Sequence, residues 1–379
     1  MKNVFIIPAR SGSKGIPNKN LQLINGIPMF VWSIIHATYI SEKNDLVLVS
    51  SDSDKYLKIA KRWGAVPIKR PKKLASDKAF TEPVMTHAIS KIDMELEDNI
   101  ILLQPTSPLR SKKLMEQLKK ELQQADSAIS LTESYEFNWI QIDAGNVKPI
   151  YSNRPRRQDM QPQLSENGSI YFTKFKHYKK YENRVYKQAK PLFVNFFESI
   201  EIDTFDELNL IQKISREFNS EWLKNIFKNK RINNLFLDID GVFAKNQKKT
   251  NENTRFYSTQ DSNALHMLLQ KGVNVVLISS ERHHHSVELF RKIGIKESYF
   301  NISNKFDFVR TYMKKNSILN NQCVFVGNDI QDKKCLEYFQ LSLAPKDSNE
   351  SVKKYAKFIL SKNGGDGAIT ELANLLFLQ

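Results

Sequence analysis

Only two cysteines, Cys323 and Cys335, occur in 379 residues. That is too few for a disulfide framework, and no Cys/His spacing suggests structural zinc. No apolar run approaches the ~20 residues that a membrane span needs. Met1-Lys2-Asn3 leads straight into a core strand without a signal-peptide pattern, so the cytoplasm is the expected compartment. Acidic residues are outnumbered, 41 against 57 Lys and Arg, giving a formal charge of +16. The lysines are nonetheless dispersed, and no helix-turn-helix, zinc-finger or RNA-recognition signature accompanies them, which argues against nucleic acid. A basic chain suits small substrates rich in phosphate. The Gly-x4-Gly-Lys-Ser/Thr loop and the G-x-G-x-x-G fingerprint are also missing, which excludes the two commonest phosphate-binding turns.

What stands in their place is the stretch Phe5-Ile6-Ile7-Pro8-Ala9-Arg10-Ser11-Gly12-Ser13-Lys14-Gly15-Ile16-Pro17-Asn18-Lys19-Asn20. An apolar run with the character of a buried strand empties into a loop where glycines and cations cluster. Glycines let backbone N–H groups approach an anion, and cations neutralise a charge too dense for hydrogen bonds alone. Strands expected near 3–8, 46–50 and 100–104 alternate with helices near 28–40, 54–63, 82–95 and 112–124, a rhythm of βαβ units and a mostly parallel sheet. Further polar motifs follow strand ends in order: Ser50-Ser51-Asp52-Ser53, Lys69-Arg70-Pro71, Gln104-Pro105-Thr106-Ser107-Pro108-Leu109-Arg110 and Glu166-Asn167-Gly168-Ser169-Ile170-Tyr171. The C-terminal ends of strands are the edge at which open α/β sheets bind ligands. The Arg- and Pro-rich segment 151–163 is expected to be an extended arm that touches a partner subunit.

These ordered motifs resemble the sugar-acid cytidylyltransferases, in particular the CMP-sialic acid synthetases. The resemblance implies a Rossmann-like nucleotidyltransferase domain and transfer of CMP from CTP to the anomeric hydroxyl of a nonulosonic acid, with Mg2+ as cofactor. Arg10, Ser11, Gly12, Lys14 and Lys19 match the triphosphate-holding loop, and Lys14 is best placed to stabilise the leaving pyrophosphate. Asn20 and Arg70 match the positions that read cytosine, a task for fixed, directional donors. Gln104 matches a residue bridging nucleotide and sugar, so Lys14, Arg10 and Gln104 are the expected catalytic set. Asn167 and Tyr171 match the sugar-binding segment, and Arg156 and Arg157 are candidates for the sugar carboxylate, across a dimer interface. Metal is expected on Asp203 and Asp206, spaced Asp-x-x-Asp where many members carry Asp-x-Asp. No residue stands out as general base. A KDO-specific synthetase is the alternative within the class.

A polar, basic stretch at 219–231 reads as a connector between a cytidylyltransferase domain, 1–218, and a second α/β domain, 232–379. There Leu235-Phe236-Leu237-Asp238-Ile239-Asp240-Gly241 ends in Asp-x-Asp-Gly. Ser279, Lys305 and Gly327-Asn328-Asp329-Ile330-Gln331-Asp332 follow at the positions of later motifs. This pattern resembles the capless haloacid-dehalogenase-type phosphatases that act on KDO 8-phosphate, where the first Asp is nucleophile and the second acid/base. Asn328 stands where that family has a metal-binding Asp, removing one negative charge from the site. Assembly, as a tetramer built on an N-terminal dimer, is therefore the expected role, and an active sugar-phosphate phosphatase is the alternative. His283-His284-His285 reads as a surface tract rather than a metal site.

Overall fold

The structure, a computed structural model, describes residues 1–13, 15–228, 232–245, 255–281 and 286–377. Two units emerge: Met1–Ile24 with Pro28–Ser215, and Asn25–Ile27 with Arg216–Gln379.

The first unit is built on one sheet. Its strands are β1 (Asn3–Pro8), β4 (Leu46–Ser51), β5 (Val66–Lys69), β6 (Asn99–Leu103), β7 (Ser127–Ser134), β10 (Gln163–Lys174) and β11 (Lys190–Phe193), in the spatial order β11-β7-β10-β6-β1-β4-β5. The short pairs β2 (Leu23–Ile24) with β3 (Ile27–Pro28), and β8 (Trp139–Asp143) with β9 (Asn146–Pro149), lie outside it. β1 pairs in parallel with β4 and β6, and β4 with β5. β10 alone runs antiparallel, to β6 on one side and β7 on the other. Continuous burial explains the centre, since Val4, Phe5, Ile6 and Ile7 of β1 and Ile101, Leu102 and Leu103 of β6 have no exposed surface. Strands covered on both faces need apolar side chains at every position, not at alternate ones. Helix Thr81–Ile89 lays Met85, Ala88 and Ile89 on Val4, Ile6 and Leu102. It ends earlier than its sequence suggested, at Ile89, where Ser90 and Lys91 turn the chain.

In the second unit β12 (Asn234–Asp238), β13 (Asn274–Ile278), β14 (Glu297–Tyr299), β15 (Cys323–Val326), β16 (Ser342–Ala344) and β17 (Phe358–Ile359) form a parallel sheet ordered β14-β13-β12-β15-β16-β17. The stretch that composition marks as a connector contains a helix, Ser220–Lys228. Trp222, Leu223 and Phe227 are buried, and the Phe227 ring meets that of Phe358 edge-on at 5.5 Å. Its polar residues supply the outer face of an amphipathic helix, which is why composition alone resembles a linker. Arg231 and His283, His284 and His285 lie outside the described residues. No described helix is long and apolar enough to cross a membrane.

Candidate active site

A cleft of about 440 Å³ opens at the C-terminal edge of the first sheet, lined among others by Arg10, Lys19, Asn20, Arg70, Gln104 and Asp203. The loop after β1 supplies its floor. Asn20 is buried, its Nδ2 donates to the Arg10 carbonyl at 3.1 Å, and among the described residues its Oδ1 has no partner. Arg70, just past β5, is 4% exposed; Nη1 reaches the Leu74 carbonyl at 3.4 Å, while Nε and Nη2 have no partner among the described residues. Burial lowers its pKa to about 10, with Asp52 opposing and Arg10 adding to the fall. Buried donors and acceptors without partners are costly, and both residues keep such atoms in the wall of the cleft.

Arg10 Nη1 donates to Asp77 Oδ1 at 2.6 Å. Ser11 gives both its N–H and its hydroxyl to Asp52, at 2.9 and 2.6 Å. Burial works against the Asp52 charge, but those two bonds outweigh it and hold the carboxyl below its ordinary value. The sequence motif alone gives Asp52 no role; in the structure it fixes the turn carrying Ser11. Gly12 has open space around it, and Lys14 lies outside the described residues. Gly15 is a true close approach, since a Cβ there would stand 2.7 Å from the Asp203 carbonyl oxygen. Lys19 spans the same gap, donating to the Ile202 carbonyl at 2.9 Å and to Asp203 Oδ1 at 2.7 Å.

Asp206 is exposed in the first turn of helix Phe205–Phe218 and, unlike Asp203, is not among the residues lining the cleft. Glu201, to which the sequence assigns no role, does not line it either, but it bonds to Thr106, which does. Its Oε1 accepts from Thr106 Oγ1 at 2.7 Å, and burial, with help from Asp203, raises its pKa. Gly168, at φ +73°, lets the Asn-Gly turn come within 3.0 Å of Glu201 Oε2, measured to an ideal Cβ. The available signal was local: Glu201-Ile202-Asp203 puts a carboxylate on either side of a buried isoleucine.

The sugar-side residues divide. Asn167 is buried, its Oδ1 accepts from Ser130 Oγ at 2.5 Å, and its Nδ2 has no partner among the described residues. Tyr171 belongs to the core cluster with Met85 and Ile129 rather than to the cleft lining, because β10 alternation turns it inward; its hydroxyl donates to Glu166 at 3.0 Å. Arg156 and Arg157 are exposed on the segment after β9 and do not reach the cleft; Arg156 pairs locally with Asp159 at 2.7 Å. Nearby, Trp139, Ile142, Val147 and Ile150 expose half or more of their surface.

The second unit gathers its own charged group at the end of β12. Lys305 Nζ lies 2.8 Å from both Asp238 and Asp332. Burial raises the Asp238 pKa well above the carboxylate range, with Asp332 adding; Lys305 is held above the lysine range by those two carboxylates against the effect of burial. Asp240 accepts from Arg255 Nε at 2.7 Å, and the same guanidinium reaches Glu281 at 2.6 Å. Ser279 Oγ accepts from the Glu281 N–H at 3.0 Å. Asn328 donates its N–H to Asp332 at 2.9 Å, and among the described residues its Oδ1 has no partner. Asp329 is exposed; its side chain caps the Ile330 N–H, while its own N–H donates to Asp332 at 3.2 Å. Among the described residues, no cluster of three or more His, Cys, Asp or Glu has the geometry of a metal site.

N-acylneuraminate cytidylyltransferase A of Danio rerio is 28% identical over 390 residues, 98% of this chain and 88% of that protein. N-acylneuraminate cytidylyltransferase of Escherichia coli is 30% identical over 252 residues, 64% of this chain and 59% of that protein. CMP-N,N'-diacetyllegionaminic acid synthase of Legionella pneumophila is 32% identical over 233 residues, 59% of this chain and all of that protein. A solved deoxy-D-mannose-octulosonate 8-phosphate phosphatase from Haemophilus influenzae covers 41% of this chain and 88% of its own at 22% identity and a TM-score of 0.37. The family model described as haloacid dehalogenase-like hydrolase matches residues 300–372. The model described as Cytidylyltransferase matches residues 4–232, more than half of the sequence, and the chain belongs to that family.

Proposed function

We propose that this chain transfers CMP from CTP to the anomeric hydroxyl of a nonulosonic acid and releases pyrophosphate. The observation that carries the reading is the pair of buried, incompletely bonded groups, Asn20 Oδ1 with Arg70 Nε and Nη2, at the end of a cationic, glycine-bearing loop. An acceptor and two rigid donors suit the amide-like edge of cytosine, and Arg10, Ser11 and Lys19 lie where the phosphates would follow. The acceptor class comes from the relatives, named for N-acylneuraminate and for diacetyllegionaminate. Asn167, with its unpartnered Nδ2, and Gln104 are the residues assigned to it, whereas Tyr171 supports the turn from within the core.

In the reaction the anomeric oxygen attacks the α-phosphorus in line, the bond from that phosphorus to the β-bridging oxygen breaks, and pyrophosphate leaves; the hydroxyl proton goes to solvent. Arg10 and Lys19 stabilise the growing charge on the leaving group. Glu201 and Asp203 are the residues that would hold Mg2+. They are hard oxygen donors, only two in number, and Mg2+ is commonly bound by one or two carboxylates with substrate phosphates and water completing the shell. The ion when bound neutralises phosphate charge. The second unit and the apolar surface around Trp139 and Val147 serve assembly, the former because its acidic residues are already neutralised by Lys305 and Arg255.

The test is pyrophosphate release by the full chain from CTP with a panel of N-acetylneuraminate, KDN, legionaminate, pseudaminate and KDO, with Mg2+ present or chelated. Release that needs both a nine-carbon acid and Mg2+ is expected. Turnover of ATP, or of KDO alone, overturns the assignment.

A further inference from the structure

We propose that Arg110, which is not among the residues lining the cleft described above, is the positioning residue that sets the acceptor side of the site; the inference rests on the cytidyl-transfer reading above. Arg110 is completely buried. Its Nη2 donates to the Gln104 carbonyl at 2.7 Å and to the Ser169 carbonyl at 2.9 Å. Its Nη1 donates to Ser33 Oγ at 3.1 Å and lies 3.4 Å from His36 Nδ1. Burial lowers its pKa to about 9, with Glu198 opposing the fall. Burial, with Arg110 adding, also lowers the pKa of His36, so a neutral imidazole faces the guanidinium.

Placing a guanidinium in a dry interior is costly, and an apolar side chain would fill the space at lower cost. What the charge secures is geometry. Gln104 directly follows β6 and Ser169 lies within β10, the two segments that carry the proposed acceptor-binding amides, Gln104 and Asn167. The pairing of β10 with β7 is interrupted between Glu166 and Tyr171, so the Asn167 turn is not held there by a regular ladder. Ser130 Oγ anchors it at Asn167 Oδ1, and Arg110 anchors it at Ser169. The next residue extends the clamp: Ser111 N–H donates to buried Glu198 at 2.9 Å, on the segment leading to Glu201 and Asp203. The bonds of Arg110 go to the Gln104 and Ser169 carbonyls, whereas the Asn20 amide is held by the Arg10 carbonyl and Arg70 by the Leu74 carbonyl, so a change at Arg110 is expected to act first on the acceptor side.

The experiment compares wild type with Arg110→Lys and Ser33→Ala. CTP affinity is measured by calorimetry without acceptor, and kcat and KM for the acid accepted best by wild type are measured in turnover. A one-point cation cannot bridge both carbonyls and Ser33 together. Arg110→Lys is expected to lower kcat about tenfold or more and to raise the acceptor KM severalfold, as expected for a small misplacement of reacting groups. The CTP dissociation constant should stay within about twofold. Ser33→Ala, which keeps the carbonyl bonds, should show the same pattern more weakly, and it decides the matter if Arg110→Lys does not fold. Parallel weakening of CTP and acceptor binding, or no change in either variant, overturns the proposal. Wild type inactive with every acid, while still binding CTP, overturns the cytidyl-transfer reading instead.

Discussion

The two units place polar and charged side chains at the same kind of edge, the C-terminal ends of parallel strands, and differ in how the buried ones among them are bonded. In the first unit, Asn20 and Arg70 are buried with polar atoms unused among the described residues. In the second, Lys305 is divided between Asp238 and Asp332, and Arg255 between Asp240 and Glu281. A site that works on a ligand keeps part of its bonding capacity in reserve. One whose buried charges pair with each other has less of that capacity left for a ligand. The comparison shows that a surviving motif is weaker evidence for activity than the bonding state of its atoms: Asp238 and Asp240 stand at their expected places, and each already faces a cation.

The sharpest way to break this contrast is to remove one carboxylate from each unit. Asp203→Asn is expected to lower kcat for cytidyl transfer about a hundredfold, the scale of a lost electrostatic stabiliser, with circular dichroism unchanged. Asp238→Asn should leave that rate as it is. If the full chain hydrolyses KDO 8-phosphate at about one per second or faster, and Asp238→Asn abolishes this, the second pocket is an enzyme after all. A smaller effect is expected for Arg70→Lys. An ammonium cannot present the planar donor fork, so the KM for CTP should rise about tenfold with kcat largely kept; an unchanged KM would move cytosine elsewhere.

The smallest effect concerns Glu201, whose pKa is raised chiefly by burial. A carboxyl raised in the folded state contributes stability below its unfolded pKa, and this is lost as pH rises through the folded value, so at pH 7 its charge is a burden. Glu201→Gln should therefore lose activity yet melt higher at pH 7, by about 2–4 °C for each 1 kcal/mol recovered. The margin should close as pH falls toward 4. A variant that melts lower at pH 7 would show that the carboxylate supports the fold.

The sequence made the strand ends legible because burial forces unbroken apolar runs, and the residues just beyond them stand out against that background. Arg10, Asn20, Arg70 and Gln104 all line the cleft for this reason. Three-dimensional pairing was less visible. Asp206 follows Asp203 closely in the chain, but the start of helix Phe205–Phe218 turns it to solvent, whereas Glu201 lies two residues before Asp203 along an extended segment. Tyr171 looked like a ligand because it closes an Asn-Gly motif, and the alternation of β10 placed it in the core. Arg255 carries no motif at all: its place between Asp240 and Glu281 depends on a chain path that no spacing rule encodes.

The contact between Lys19 and Asp203 joins residues 184 positions apart, and this has a consequence for how the protein is made. During synthesis the phosphate loop leaves the ribosome early, long before the carboxylates it must face, and the entropic cost of closing so long a loop is recovered only when β7, β10 and β11 have paired. Until then Lys19 lacks its carboxylate, and the basic edge it forms with Arg10 and Arg70 is offset only by Asp77 and Asp52. That intermediate would be exposed to polyanions, so free CTP, by occupying the edge as soon as it forms, would act as a folding aid before it serves as a substrate.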